Sequence, residues 1–261
     1  MYKPAAHKSI VITGASNGIG EELSYCYAAP GATLGLISLD RNAKFASINA
    51  RCKNKGATVY SYQADVSDTD AMRKCTLDYL DRAGSVDLVI ANAGIAHTDE
   101  DDSLILTVAL EDIAVNYLGV INTFLPLLPF MKERRSGHLA VISSVAALRA
   151  THNSGPYSAS KAALNLWTEG LRLKLIPYGI DVTTLNVGFV DTAMTKRNSF
   201  WMPGLISPEK AARLIANAID RRSRMKTLPW QSMLLWNFLQ LLPGRLYDRL
   251  IDRGKARQNS G

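Results

Sequence analysis

The sequence is poor in cysteine and histidine. Its three cysteines, Cys26, Cys52 and Cys75, are odd in number, form no CxxC pair and do not group with the four scattered histidines. That argues against a disulfide framework and a metal-binding motif, and reduced cytosolic thiols are the expectation. The opening MYKPAAHKSIVITG lacks a charged leader followed by an apolar run and a small-residue cleavage site, so secretion is not expected. Internal repeats, low-complexity blocks and Pro/Gly/Ser-rich linkers are missing too, so residues 1–261 read as one domain. With 47% apolar residues the chain can bury a core of the size that single α/β domains reach. Acidic residues are scarce in one place: residues 221–261 hold nine of the 30 basic residues and two of the 23 acidic ones. The preceding residues balance, so the whole excess of +7 lies in this C-terminal segment. A basic segment suggests nucleic acid, but an aromatic-lined strand platform or recognition motif is missing, so no nucleic-acid partner is expected.

What is present is a regular alternation. Short apolar runs, SIVIT (9–13), ATLGLIS (32–38), TVYSYQA (58–64), VDLVIANA (86–93), HLAVISS (138–144) and DVTTLNV (181–187), are separated by segments long enough for crossover helices. Strands apolar on both faces suit a parallel sheet buried between helix layers. The fold class is therefore α/β, a doubly wound parallel sheet with helices on both faces and right-handed crossovers. The acidic stretch from Asp99 to Asp102 reads as a solvated loop.

The first strand runs into TGASNGIG, with Gly14, Gly18 and Gly20 at the turn into a helix beginning near Asn17. Glycines let a diphosphate approach the backbone N–H groups and the positive helix N-terminus, with Ser16, Asn17 and Ile19 completing the turn. The place of the loop in the first βαβ unit favours a nucleotide over a plain tight turn. Ligands of such sheets bind beyond the carboxyl ends of the strands. Asp65, followed by Val66, ends the third run and is either an acceptor for an adenine amino group or a cap of the next helix. Asn92, Ala93 and Gly94 end the fourth, where small residues would let a cofactor lie against the chain or simply make a turn.

In SSVAALRATHNSGPYSASKAALNLW, Tyr157 and Lys161 stand four residues apart on one face of an expected helix, and Ser144 ends the preceding strand. A free tyrosine titrates at ~10, too high for a good base near neutrality, and a nearby ammonium favours the phenolate.

TGxxxGxG at 13–20, NAG at 92–94, Asn116 in AVNYLG, Ser144, and YxxxK at 157–161 together resemble the short-chain dehydrogenase/reductase family over about the first 195 residues. The resemblance implies a Rossmann-type fold, a nicotinamide cofactor (NAD or NADP), hydride transfer between cofactor and a carbonyl or alcohol, and a homodimer or homotetramer. Tyr157 would be the general acid in reduction and the base in oxidation. Lys161 would hold the nicotinamide ribose and lower the tyrosine pKa, Ser144 would bond the substrate oxygen, and Asn116 would support a proton-relay water. The family's serine-to-tyrosine spacing selects Ser144 over Ser143, which is read as only satisfying backbone. Such roles fit the chemistry, since alkoxide charge is stabilised by preplaced donors and proton transfer needs a tuned group in reach.

Two departures stand out. NVGFVDT at 186–192 has Val187-Gly188 where the family more often has Pro-Gly, with Gly188, Val190 and Thr192 still expected at the carboxamide. The second strand ends Ser38-Leu39-Asp40-Arg41, offering an acid that repels a 2′-phosphate and an arginine that attracts one, with a lean to NADP. Beyond the motifs, residues 192–206 are expected to form a lid, with Phe200, Trp201, Met202 and Leu205 lining a hydrophobic substrate or packing on the core. Ser207-Pro208-Glu209 reads as a helix start. Met233–Leu242 is about half the ~20 residues that a spanning helix needs and is stopped by Pro243-Gly244. Residues 230–257 are read as lying on an anionic membrane surface, packing on a partner subunit, or covering the substrate pocket.

The expectation is a cytoplasmic oxidoreductase, with membrane-peripheral association as an option, acting on a hydrophobic carbonyl or alcohol. The alternatives are a 3-oxoacyl-thioester reductase and a non-catalytic NAD(P)-sensing or scaffolding protein.

Overall fold

A computed structural model describes residues 8–97, 105–151, 154–197 and 202–250. Seven strands, β1 (Ser9–Thr13), β2 (Thr33–Ser38), β3 (Thr58–Gln63), β4 (Leu88–Ala91), β5 (Gly137–Ser144), β6 (Ile180–Val187) and β7 (Met225–Leu228), form one sheet in the order β3-β2-β1-β4-β5-β6-β7. Every neighbouring pair is parallel. The chain winds outward from β1 in one direction and from β4 in the other, so the crevice for a ligand opens at the carboxyl ends of β1 and β4.

Alternation within the strands explains why both faces are covered. Ile10 and Ile12 of β1 join a core under helices α1 (Gly18–Tyr27), α2 (Ala43–Asn54) and α8 (Pro208–Asp220), where Leu34, Leu36, Phe45, Ile48, Ile215 and Ile219 pack. Val11, between them, points to the other layer with Val89, Val141, Phe124, Leu164 and Leu171. There lie α3 (Thr69–Ala83), α4 (Ile105–Ile113), α5 (Gly119–Phe124), α6 (Leu128–Arg134) and α7 (Gly155–Leu175). Both layers are continuous, which makes this a single doubly wound domain.

Ser207 does start α8: its hydroxyl accepts from Lys210 N, with Pro208 in the first turn. One strand was not expected. β7 pairs with β6 from Thr184↔Met225 to Val187↔Leu228, so the basic C-terminal segment begins inside the sheet. It then forms α9 (Trp230–Leu241) and a further helical stretch at 244–250. Ile105–Phe124 is long and apolar enough to cross a membrane by length and composition. In this fold it packs on α7 and carries the buried Asp112 and Asn116, so it is an element of the domain.

Candidate active site

The glycine loop is shaped by close backbone approach. Gly14 has φ +64 and a Cβ there would lie 2.8 Å from Ala93 Cα, while one on Gly20 would run into the Gly14 carbonyl oxygen and sit 2.6 Å from Asn92 Nδ2. Asn92 is the reason the loop holds this form. Its Nδ2 donates to the carbonyls of Thr13 (3.0 Å) and Gly14 (3.2 Å), and Thr13 Oγ1 accepts from Asn92 N and Ala93 N. The Asn92 side chain therefore braces the loop instead of facing a ligand. The N-terminus of α1 is capped by no side chain, which leaves its first N–H groups for an anion such as a cofactor diphosphate. Asn17, the residue at that cap, accepts instead from Lys44 Nζ at 2.6 Å.

At the end of β2, Ser38 is buried, whereas Asp40 and Arg41 are exposed. Arg41 Nη2 donates to Ser61 O at 3.2 Å. Lys44, which the sequence reading missed, stands between Asn17 and Glu21, 2.8 Å from Glu21 Oε2. Asp65 is turned to local use: its Oδ1 accepts from Ser67 N and Ser67 Oγ, and the cap of α3 is Asp68. The capping role considered for Asp65 is thus corrected, since the residue three places on has the geometry for it. Val66 is buried against Gly119, and its carbonyl accepts from Asn122 Nδ2.

Between α4 and α5 the helix widens into a π-turn, Ala114–Leu118. Such single-turn bulges mark functional sites in many helices. Here the turn places Asn116 wholly inside, where Oδ1 accepts from Ile95 N (3.0 Å) and Nδ2 donates to Ile95 O (2.9 Å) and Ser160 Oγ (3.0 Å). Two of these bonds hold the loop after β4 and the third ties Asn116 to α7 beside the lysine. A Cβ on Gly94 would meet both Asn116 Oδ1 and Lys161 Nζ, at 3.0 and 3.3 Å.

Ser144, Tyr157 and Lys161 come together as the motif spacing suggests. Ser144 Oγ accepts from Ala146 N at 3.1 Å and stands close enough to Tyr157 to favour its phenolate. Lys161 Nζ lies 5.9 Å from the Tyr157 ring centroid and donates to Ile142 O at 3.1 Å. Ser143 faces the other way; its buried hydroxyl has no partner among the described residues, which corrects the expectation that it satisfies backbone. The tyrosine pKa is raised, not lowered: burial outweighs the Ser144 hydrogen bond, and the Asp112 carboxylate adds to the rise. Lys161 cannot offset this in the ligand-free chain, because burial pushes its own ammonium down to about 8 against the pull of Asp112.

Asp112 and its partner were not foreseen. Asp112 lies four residues before Asn116, on the same side of the helix, fully buried, and its Oδ1 is 3.0 Å from His97 Nδ1. Burial holds it above the usual carboxylate range, the His97 bond opposing. Its Oδ2 has no partner among the described residues. The two helix residues clamp the post-β4 loop in sequence, Asn116 at Ile95 and Asp112 at His97.

The loop after β6 closes the site. Gly188 N donates to Leu228 O at 2.7 Å, and a Cβ on Gly188 would collide with Ser232 Oγ of α9. Thr192 reaches the glycine loop, its Cγ2 2.9 Å from where a Gly18 Cβ would be. The Val190 side chain packs in the core and its backbone bridges Ile206, so any contact with a carboxamide would be made by the backbone. Met202 is half-buried, and Phe200 and Trp201 lie outside the described residues. No cluster that could hold a metal occurs among the described residues.

This geometry agrees with three comparisons. The family model described as "short chain dehydrogenase" matches residues 8–202. An "Uncharacterized oxidoreductase" of Myxococcus xanthus is 32% identical over 243 residues, spanning 93% of this chain and 96% of its own. "Ketoacyl reductase HetN" of a Nostoc species is 28% identical over 83% of this chain and 76% of its own. Among solved structures, a short chain dehydrogenase from Mycobacterium paratuberculosis bound to NAD superposes with a TM-score of 0.78 at 21% identity, covering 87% of this chain and 98% of the other.

Proposed function

The chain belongs to the short chain dehydrogenase family of oxidoreductases, and from that premise we propose that it transfers a hydride between a nicotinamide cofactor and a hydrophobic carbonyl or alcohol, with Tyr157 as the general acid and base. The observation that carries this reading is the convergence of Ser144, Tyr157 and Lys161 beyond the strand ends, with Lys161 Nζ 5.9 Å from the Tyr157 ring centroid. A bound nicotinamide supplies or accepts the hydride. In reduction Ser144 donates to the substrate oxygen, and Tyr157 gives up its phenolic proton as negative charge develops there. In oxidation the same proton returns to Tyr157. Lys161, with Asn116 fixing the loop at Gly94, orients the ribose and supplies positive charge beside the phenol.

The glycine cradle and the open N-terminus of α1 suit the cofactor diphosphate. Two exposed cations after β2, Arg41 and Lys44, would be the residues to hold a ribose 2′-phosphate, and they favour NADP over NAD despite Asp40. The test is Arg41→Ala with Lys44→Ala. Because hydrogen bonds to charged groups contribute ~1.5–3 kcal/mol, NADPH affinity should fall about tenfold or more while NADH affinity changes little. Equal losses for both cofactors, measured by fluorescence titration, would remove the NADP assignment.

A 3-oxoacyl thioester is the second substrate reading, favoured by the name of the Nostoc relative and by a basic segment suited to an acidic carrier. Turnover of a 3-oxoacyl thioester, set beside simple ketones, distinguishes the two. The cytoplasmic assignment is supported by the chemistry of the thiols. All three cysteines are free, and burial pushes each up to about 11, away from ready oxidation. Growth-compartment fractionation of the tagged chain tests it, and recovery from an extracytoplasmic fraction would overturn it. A second copy is the proposed partner of the α4 and α7 surface, where Leu106, Leu110, Leu166 and Leu173 are exposed. Leu110→Asp with Leu166→Asp should then yield a monomer by light scattering; an unchanged mass places the interface elsewhere.

A further inference from the structure

Helix α9 is apolar on opposite sides. Trp236 and Leu239 face inward, packing with Tyr247 on Val145 and Leu148, and buried Ser232 faces Gly188. Trp230, Leu234, Phe238 and Leu241 recur at i, i+4, i+8 and i+11 and face outward, exposed to 62, 56, 58 and 84%. A helix apolar all round needs a second apolar environment on the side that its own domain leaves open. Beyond Pro243 the next helical stretch also exposes Leu246 and Leu250, and exposed Arg245 and Arg249 stand next to them one helical turn apart. We propose that this face docks on an anionic lipid bilayer, lying in the interface with its indole and leucines among the acyl chains and its arginines at the headgroups.

Charge decides for lipid against the other occupants. A second copy brought in by a two-fold axis would set the same arginines near their own images, in a segment with nine cations and two anions. An anionic surface meets them with opposite charge, and tryptophan beside arginine is the usual composition at such an interface. Residues 251–261 offer only Ile251 and Ala256 as apolar groups against three further cations, too little to cover the stripe.

Position gives the docking a consequence. Arg149 Nη1 donates to the carbonyls of Leu239 (2.6 Å) and Leu242 (2.9 Å), and its guanidinium stacks 3.7 Å over the Tyr247 ring. Tyr247 in turn donates to Ala150 O at 2.5 Å, and Ser232 abuts Gly188. The face is thus tied to the turn after Ser144 and to the loop that closes the site. If the chain is the oxidoreductase proposed above, its mouth lies beside the bilayer and its substrate is a lipophilic carbonyl or alcohol dissolved there.

The experiment is co-sedimentation of the full chain with vesicles of phosphatidylcholine alone and of phosphatidylcholine with phosphatidylglycerol. Anionic vesicles should bind about tenfold or more tightly than neutral ones, as two arginines near such a surface imply. Trp230→Gln/Leu234→Gln/Phe238→Gln should lose binding to both, and Arg245→Glu/Arg249→Glu only the anionic preference. These positions are exposed, and an unchanged melting curve confirms that each variant is folded. Failure to pellet with anionic vesicles, or a triple variant that pellets like the parent, overturns the proposal. So does self-association of the parent that the triple variant abolishes, which would assign the face to a second copy. None of these readouts uses turnover, so a chain that binds vesicles yet reduces nothing overturns the oxidoreductase reading alone.

Discussion

Tyr157→Phe should leave cofactor affinity within about twofold of the parent and lower carbonyl reduction by about three orders of magnitude, the middle of the range for removing a positioned acid. The substitution deletes one oxygen and keeps the ring beside Lys161, so the cofactor cradle, built from Gly14, Gly20 and Asn92, is untouched. What is lost is the hydroxyl proposed to place a proton on the substrate oxygen. Burial raises this phenol, so at neutrality it carries its proton. Oxidation would ask the opposite and draw on the cationic form of Lys161, which burial favours only below about pH 8. Stability should change by no more than about 1 kcal/mol, because one hydrogen bond is removed and Ser144 still accepts from Ala146 N. A thermal melt beside the kinetics separates chemistry from folding. Turnover by the phenylalanine variant at the parent's rate would show that another group supplies the proton.

Gly20→Ala should be the most damaging of the small changes to cofactor binding. The added methyl would run into the Gly14 carbonyl oxygen and lie 2.6 Å from Asn92 Nδ2. Neither neighbour can yield cheaply, since Asn92 is fastened to Thr13 and Gly14 by its own hydrogen bonds. Overpacking of this kind costs ~1–3 kcal/mol of stability. The backbone shift that relieves it moves the N–H groups meant for a diphosphate, so cofactor affinity should fall about a hundredfold. Gly170→Ala is the control: it lies inside α7 with open space around its Cβ, and should gain up to ~1 kcal/mol from helix propensity. Equal cofactor affinity in the two variants, by titration calorimetry, would mean that the loop does not hold a diphosphate.

The fold was readable wherever a strand is buried on both faces, because β1, β2, β4, β5 and β6 then appear as apolar runs between turns. β7 escaped because Met225 and Lys226 are exposed and the strand is four residues long, so it merged with the arginines before it. The motif residues Ser144, Tyr157 and Lys161 were legible because their spacing on one strand end and one helix face is local. The partners that tune them are not local. His97 and Asp112 are fifteen apart in sequence and meet only because the post-β4 loop folds back on α4. The available hint was a carboxylate inside an apolar helix, one turn before Asn116. The π-turn at Asn116 carried no hint, since AVNYL reads as ordinary helix.

The central claim is that this site moves a hydride with Tyr157 handling the proton. The most direct measurement follows nicotinamide absorbance when the full chain is given NADPH or NADH with hydrophobic ketones and 3-oxoacyl thioesters. The account predicts a carbonyl-dependent loss of absorbance, faster with NADPH and absent in Tyr157→Phe. A parent chain that binds the cofactor yet leaves its absorbance unchanged across every carbonyl would contradict it and favour a cofactor-sensing protein.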